Sequence, residues 1–161
     1  MPTTRPLDPA DRDALWAALR SDGTFGDDEV AVALELIDAA AEGSPDYWIR
    51  VAVLDAGGAA NERVAGYICY GPTPMTEATY DLYWIVTHAE SRGRGVAGAL
   101  IEAMEADLRQ RGGRAVRVET SQTEGYGAAR KLYARHGYPE AARFSDFYKP
   151  GDDLIVYYKQ L

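Results

Sequence analysis

The chain of 161 residues is 47% hydrophobic, 26% charged and 11% aromatic, the composition of one globular domain spanning 1–161. A single cysteine, Cys69, excludes a disulfide framework and a cysteine-based metal cluster, and two histidines, His88 and His136, leave no metal site to expect. A net charge of −8 argues against a duplex nucleic-acid binder, which needs a basic face to neutralise phosphates.

Residues 2–7 read as a short strand. Asp8-Pro9 opens a helix, with a capping carboxylate and Pro at the first helical position, and Leu15, Trp16 and Leu19 share a face until Gly23. A second helix runs from about Asp27 to Glu42, where Val30, Ala33, Leu34 and Ile37 recur at helical spacing and Gly43 stops it. The runs 47–55, 63–71 and 79–88 are β-branched and aromatic, are joined by a turn over 56–62 and a Pro-rich turn, and predict an antiparallel meander. A Gly-rich loop, 92–98, then enters a helix with Leu100, Met104 and Leu108 on one face, closed by Gly112-Gly113. A strand over 115–120, a helix from about Tyr126 to Gly137 and a hairpin turning at Pro150-Gly151 complete the chain. The class is α/β with a mixed sheet, in which 79–88 and 115–120 flank a helix and lie parallel.

Charge is divided unevenly: residues 1–90 carry a net −11 and residues 91–161 a net +3. The basic half suits a small phosphate-bearing ligand and the acidic half a cation. No run of about 18 apolar residues exists to span a membrane, and the polar, Pro-bearing start, which lacks a basic stretch leading into an apolar one, carries no expectation of secretion. A cytoplasmic location is the simplest expectation.

The segment Arg92-Gly-Arg-Gly-Val-Ala-Gly98 comes after a strand and opens a helix, so unpaired backbone N–H groups and the helix dipole make an anion site there. Its letters also fit the dinucleotide pattern G-x-G-x-x-G, with Glu119 near the place of a ribose-binding acid. Against an NAD(P) site, six mostly polar residues separate the strand from Gly93, and the chain beyond Gly98 holds no further βαβ units.

The string ESRGRGVAGALIEAM resembles the pyrophosphate motif Arg/Gln-x-x-Gly-x-Gly/Ala of the GCN5-related N-acetyltransferases, matched by Arg92, Gly95 and Ala97. About 30 residues on, AARKLYARHGY resembles that family's late motif, with Ala129, Leu132, Tyr133, Gly137 and Tyr138 in register. The resemblance is strongest over 85–138, and the order of elements extends it to nearly the whole chain. It implies an acyl-CoA N-acyltransferase fold with a central mixed sheet of about six or seven strands flanked by about four helices. It also implies acetyl-CoA as cosubstrate, held by its pyrophosphate on the backbone of Gly93, Arg94, Gly95, Val96, Ala97 and Gly98, with added charge from Arg92 and Arg94. Its amide arm would meet Ile85, Val86 and Thr87. The family's common Asn near the start of the late helix is replaced by Tyr126, whose ring could pack against the same arm beside Ala129.

Acyl transfer to an amine requires that the ammonium, with a pKa near 10, lose a proton. Asp81, an acid in an apolar strand where some family members carry Glu, is the first candidate base, and Glu119 is the second. Tyr133 matches the family's acid, which returns a proton to the CoA thiolate. The acids of 22–46 favour a small cationic amine as acceptor, with a protein or peptide amine as the alternative, and the resemblance allows a homodimer. A second reading is a silent acyl-CoA sensor that keeps the loop without the chemistry. Cys69 reads as a buried apolar residue, Trp16, Trp48 and Trp84 as core, and Asp152-Asp153 as a turn.

Overall fold

The computed structural model describes residues 1–55 and 62–161. The predicted turn over 56–62 therefore lies outside the described residues, apart from Glu62. In chain order the elements are β1 (Thr3–Pro6), α1 (Arg12–Arg20), α2 (Asp27–Ala41), β2 (Trp48–Asp55), β3 (Glu62–Pro72), β4 (Thr79–Thr87), α3 (Val96–Gln110), β5 (Ala115–Ser121), α4 (Gly127–Arg135), β6 (Glu140–Lys149) and β7 (Asp152–Gln160). Each predicted element is present. At Asp8-Pro9, however, the chain first makes a 3-10 turn over Pro9–Asp11, and Asp8 and Asp11 cap it reciprocally before α1 begins.

Among the described residues the strands form one sheet in the order β1-β2-β3-β4-β5-β7-β6. All neighbours are antiparallel except β4 and β5, which run parallel. β7 slots between β5 and β6, so the last hairpin folds back beside the centre.

Alternation along the central strands explains their unbroken apolar runs. Val51, Val53, Tyr67 and Cys69 face α1 and α2, where Leu15, Leu19, Val30, Ala33 and Ile37 cover them. Ala52, Leu54, Ile68 and Tyr70 face the other way, against Leu100, Ile101, Met104 and Leu108 of α3. Both faces of the sheet are thus covered, and strands buried on both sides lose the polar half of a period-two pattern. Cys69 is fully buried, and burial pushes its thiol pKa up to about 12.

The sheet opens at one place. β4 and β5 pair from Thr79↔Ala115 to Leu82↔Val118 and no further. The β3–β4 register slips at the same level, from Cys69↔Trp84 to Tyr70↔Leu82, leaving Tyr83 as a bulge residue. A bulge bends its strand and increases its twist, so β4 turns away from β5 and a wedge opens between their C-terminal halves.

Candidate functional site

That wedge is the floor of a cleft of about 1060 Å³. Its walls are the ends of β4 and β5, the first turns of α3 and α4, the link between α1 and α2, and the β6–β7 hairpin.

On one side lies the start of α3. Gly93 and Gly95 have φ of +73° and +78°, a left-handed conformation that favours glycine, and a Cβ at either would meet nothing within 4 Å. The first intrahelical bond runs from Ala99 N–H to Gly95 C=O, at 3.0 Å. The preceding N–H groups of Val96, Ala97 and Gly98 consequently lie in the first turn, where no intrahelical acceptor exists. Such an open, cation-flanked turn suits a phosphate group by its dipole and its donors. Gly98 closes the turn against α4: a Cβ there would lie 3.4 Å from His136 Nε2.

Of the residues expected to hold a cofactor, Ile85, Val86, Thr87, Arg92, Gly93, Gly95, Val96, Ala97, Gly98, Tyr126 and Ala129 all line the cleft. Arg94 does not. Arg92 reaches the cleft, but its guanidinium pairs with Asp22 in the α1–α2 link. Tyr126 donates to Glu29 Oε2 at 2.9 Å, and its ring lies 6.5 Å from that of Phe25, which in turn packs edge-on against Trp84 at 5.3 Å. Trp84 is therefore both packed against the core and a wall of the cleft, Trp48 packs against Tyr70, Tyr80 and the Arg111 guanidinium, and Trp16, expected in the core, is 43% exposed.

Tyr133 projects from α4 into the cleft, flanked by the rings of Tyr157 at 5.4 Å and Tyr138 at 6.1 Å. Its hydroxyl makes no hydrogen bond among the described residues, and burial raises the phenol pKa, so it carries its proton at neutral pH. Arg130 fixes the start of α4 to the end of β5 by donating to the carbonyls of Ser121 and Thr123, at 2.9 and 2.8 Å. Gly137, at φ +78°, ends the helix where the sequence predicts.

Asp81 is not brought to this cleft. It sits in the paired part of β4, below the wedge, 7% exposed, in register with Arg117 of β5. Its carboxylate accepts from Arg117 Nε at 2.7 Å and from Thr73 Oγ1 at 2.8 Å, which explains an acid in an apolar strand as half of a cross-strand ion pair. Glu119, two residues further along β5, does line the cleft, with its carboxylate 4.0 Å from Arg117 Nη1.

Several cleft residues escape the sequence reading. Asp152, read as part of a turn, brings a buried carboxylate that accepts from Ser121 Oγ at 2.5 Å, beside Asp22 and Glu29 from the acids of 22–46. Phe25, His136 and Tyr148 line the cleft as well. For Tyr148 the signal was present: three aromatic residues in the run FSDFY, in a strand with no apolar alternation. Among the described residues no group of His, Cys, Asp and Glu gathers as a metal site, and no helix is long and apolar enough to cross a membrane.

The model of the acetyltransferase (GNAT) family matches residues 12–138. No curated protein sequence matches the chain. An acetyltransferase assigned to the GNAT family, from Desulfovibrio desulfuricans, superposes with a TM-score of 0.89 at 35% identity, over 99% of each chain. The ribosomal-protein-S18-alanine N-acetyltransferase of Escherichia coli shares the fold, with a TM-score of 0.76 at 18% identity over 99% of this chain and 94% of its own. So does an aminoglycoside 6′-N-acetyltransferase complexed with coenzyme A, with a TM-score of 0.75 at 17% identity over 98% and 96%.

Proposed function

Because the chain belongs to the acetyltransferase (GNAT) family, we propose that it transfers an acetyl group from acetyl-CoA to the primary amine of a small cationic molecule. In this reading residues 1–161 are one transferase domain. The observation that carries the choice of acceptor is the set of carboxylates, Glu29, Glu119 and Asp152, on the walls of the cleft that Tyr133 enters. An ammonium is drawn to such a wall, and an anionic acceptor is repelled. A lone buried thiol also fits a reducing compartment such as the cytoplasm.

The cleft fits the donor. The open first turn of α3 would take the diphosphate, with Arg92 beside it, and the unpaired edge of β4 at Ile85, Val86 and Thr87 would take the amides of the arm. Bound acetyl-CoA supplies an activated thioester. The chain does the rest. Glu119 accepts a proton from the acceptor ammonium, directly or through a water, so that the free amine attacks the thioester carbonyl. A backbone N–H of β4 beside the wedge steadies the oxygen on which charge develops. The carbon–sulfur bond then breaks, the Tyr133 hydroxyl gives its proton to the leaving thiolate, and the second proton of the acylated nitrogen passes through water to restore the phenol, so that the proton held by Glu119 is the one released. Asp81 braces β4 against β5 in this scheme rather than taking a proton.

The test measures acetyl-CoA affinity and thiol release together. Glu119→Gln and Tyr133→Phe should each lower kcat by about 10²-fold or more while acetyl-CoA affinity stays within about twofold. Binding of acetyl-CoA with no thiol release for any amine would instead indicate a sensor. Full activity in Glu119→Gln with loss in a still-folded Asp81→Asn would return the base to Asp81.

A further inference from the structure

The β6–β7 hairpin carries aromatic side chains that the core does not use. Phe144, Phe147 and Tyr148 are 54%, 59% and 50% exposed. They form a continuous row: the Phe147 ring lies 6.4 Å from Phe144 and 5.1 Å, edge-on, from Tyr148. Tyr148 is also a wall of the cleft. Its phenol pKa is raised by burial first and then by the carboxylates of Glu119 and Asp152, which places it beside the acids of the acceptor wall.

The row exists because the strand is distorted. The register passes from Phe144↔Leu154 to Lys149↔Asp152, so residues 145–148 stand opposite Asp153 alone. Asp146 has φ +54°, unusual for a residue with a side chain. The distortion is braced: Asp146 N–H donates to Asp153 Oδ1 at 2.9 Å, Gly151 N–H donates to Asp146 Oδ1 at 2.7 Å, and Asp153 N–H donates to Gln122 Oε1 at 3.1 Å. In a regular strand Phe147 and Tyr148 would point to opposite faces; the bulge lets their rings meet. With ~200 Å² per aromatic side chain, the row offers on the order of 300 Å² of exposed ring surface. A patch of that size, held in a strained and braced conformation at the mouth of a cleft, is a feature of binding sites.

We propose that this row is the acceptor shelf, and that the preferred acceptor is a small primary amine bearing an aromatic or branched aliphatic group a few bonds from its nitrogen. The proposal rests on the acetyltransferase reading of the cleft and sharpens it. The ammonium enters beside Glu119 and Asp152, and the apolar group packs on Tyr148 and Phe147. Continuity through Tyr148, which belongs to both the cleft wall and the row, selects this occupant. A polyamine would leave the rings in water.

Thiol release from acetyl-CoA with 2-phenylethylamine, tryptamine, n-butylamine and spermidine tests it, using the whole chain and its Phe147→Ala variant, whose exposed position spares the fold. The arylalkylamines should exceed n-butylamine and spermidine in kcat/KM by at least tenfold, about 1.4 kcal/mol. Phe147→Ala should erase most of that preference, and the loss should appear in KM rather than in kcat. Equal use of the four amines, a preference for spermidine, or unaltered selectivity in Phe147→Ala overturns the shelf. A dimer that dissociates in Phe147→Ala without change in selectivity overturns it too, by assigning the rings to a second copy of the chain. Acetyl-CoA binding without turnover of the arylalkylamines rejects the shelf alone, whereas no acetyl-CoA binding rejects the cleft assignment beneath it.

Discussion

Replacement of Glu105 by Gln should weaken the joint that holds α3 and α4, the two helices beside the cleft, to the sheet. Glu105 is a buried acid on α3. Its Oε1 accepts from Lys159 Nζ of β7 at 2.7 Å and from the Tyr138 hydroxyl, just after α4, at 2.9 Å. Its Oε2 accepts from Arg109 at 3.2 Å. Lys159 also donates to the His136 carbonyl at 2.7 Å, so one ammonium ties the end of α4 to α3. Burial opposes ionisation of Glu105, but the bonds from Lys159 and Tyr138 outweigh it and hold the pKa below the ordinary Glu range. Glutamine keeps the shape and one acceptor but removes the charge from two charge-assisted bonds, and Arg109, half exposed, adds little. The expected loss is about 2 kcal/mol. At this chain length that lowers the thermal midpoint by roughly 4–8 °C. Because the folded pKa is depressed, the contribution is complete above the unfolded pKa of about 4.3 and disappears as pH falls through the lower folded value. Thermal scans of both proteins from pH 7 to pH 3 should thus show a gap that is constant down to about pH 5 and closes below about pH 4. No gap at pH 7, or an undiminished gap at pH 3.5, would refute the account.

Gly66→Ala should be more damaging: its Cβ would stand 2.3 Å from the Val86 carbonyl oxygen and 3.1 Å from Thr87 Cα, both backbone atoms of β4. Forcing β3 and β4 apart there should cost about 3 kcal/mol in urea unfolding, and an unchanged midpoint would contradict the packing. Asp22→Asn should release Arg92 for the diphosphate of acetyl-CoA, strengthening binding about threefold at low salt by calorimetry and less at high salt, where the surface pair is screened. Weaker or unchanged affinity would show that Asp22 does not compete for that guanidinium.

What the sequence disclosed, it disclosed through local chemistry. Glycines that must adopt positive φ, a cap at Asp8, and a Gly-terminated α4 all act within a few residues, and the anion-binding turn at 92–98 could be located from its letters. The acids illustrate the opposite case. Asp81 drew attention as a carboxylate in an apolar strand, yet its partner, Arg117, lies 36 residues away and meets it only through the parallel register of β4 and β5. Glu29 reaches Tyr126 across a separation of 97 residues, and no spacing rule could pair them. The bulge at Tyr83 that opens the sheet, and the insertion of β7 between β5 and β6, depend on how strands fit together rather than on what each strand prefers.

An open sheet ends in two strands whose outer peptide groups could recruit further strands from other molecules, the first step towards fibrous aggregation. At one end here stands β1, four residues long and closed by Pro6, which has no N–H to donate. At the other stands β6, ten residues long and exposed throughout, long enough to be hazardous if it were straight. The distortion over residues 145–148 interrupts its outer row of donors and acceptors, so an approaching strand finds at most the stretch from Glu140 to Phe144 to copy. Straightening that distortion by shortening it should therefore make the protein less soluble even where its own stability improves.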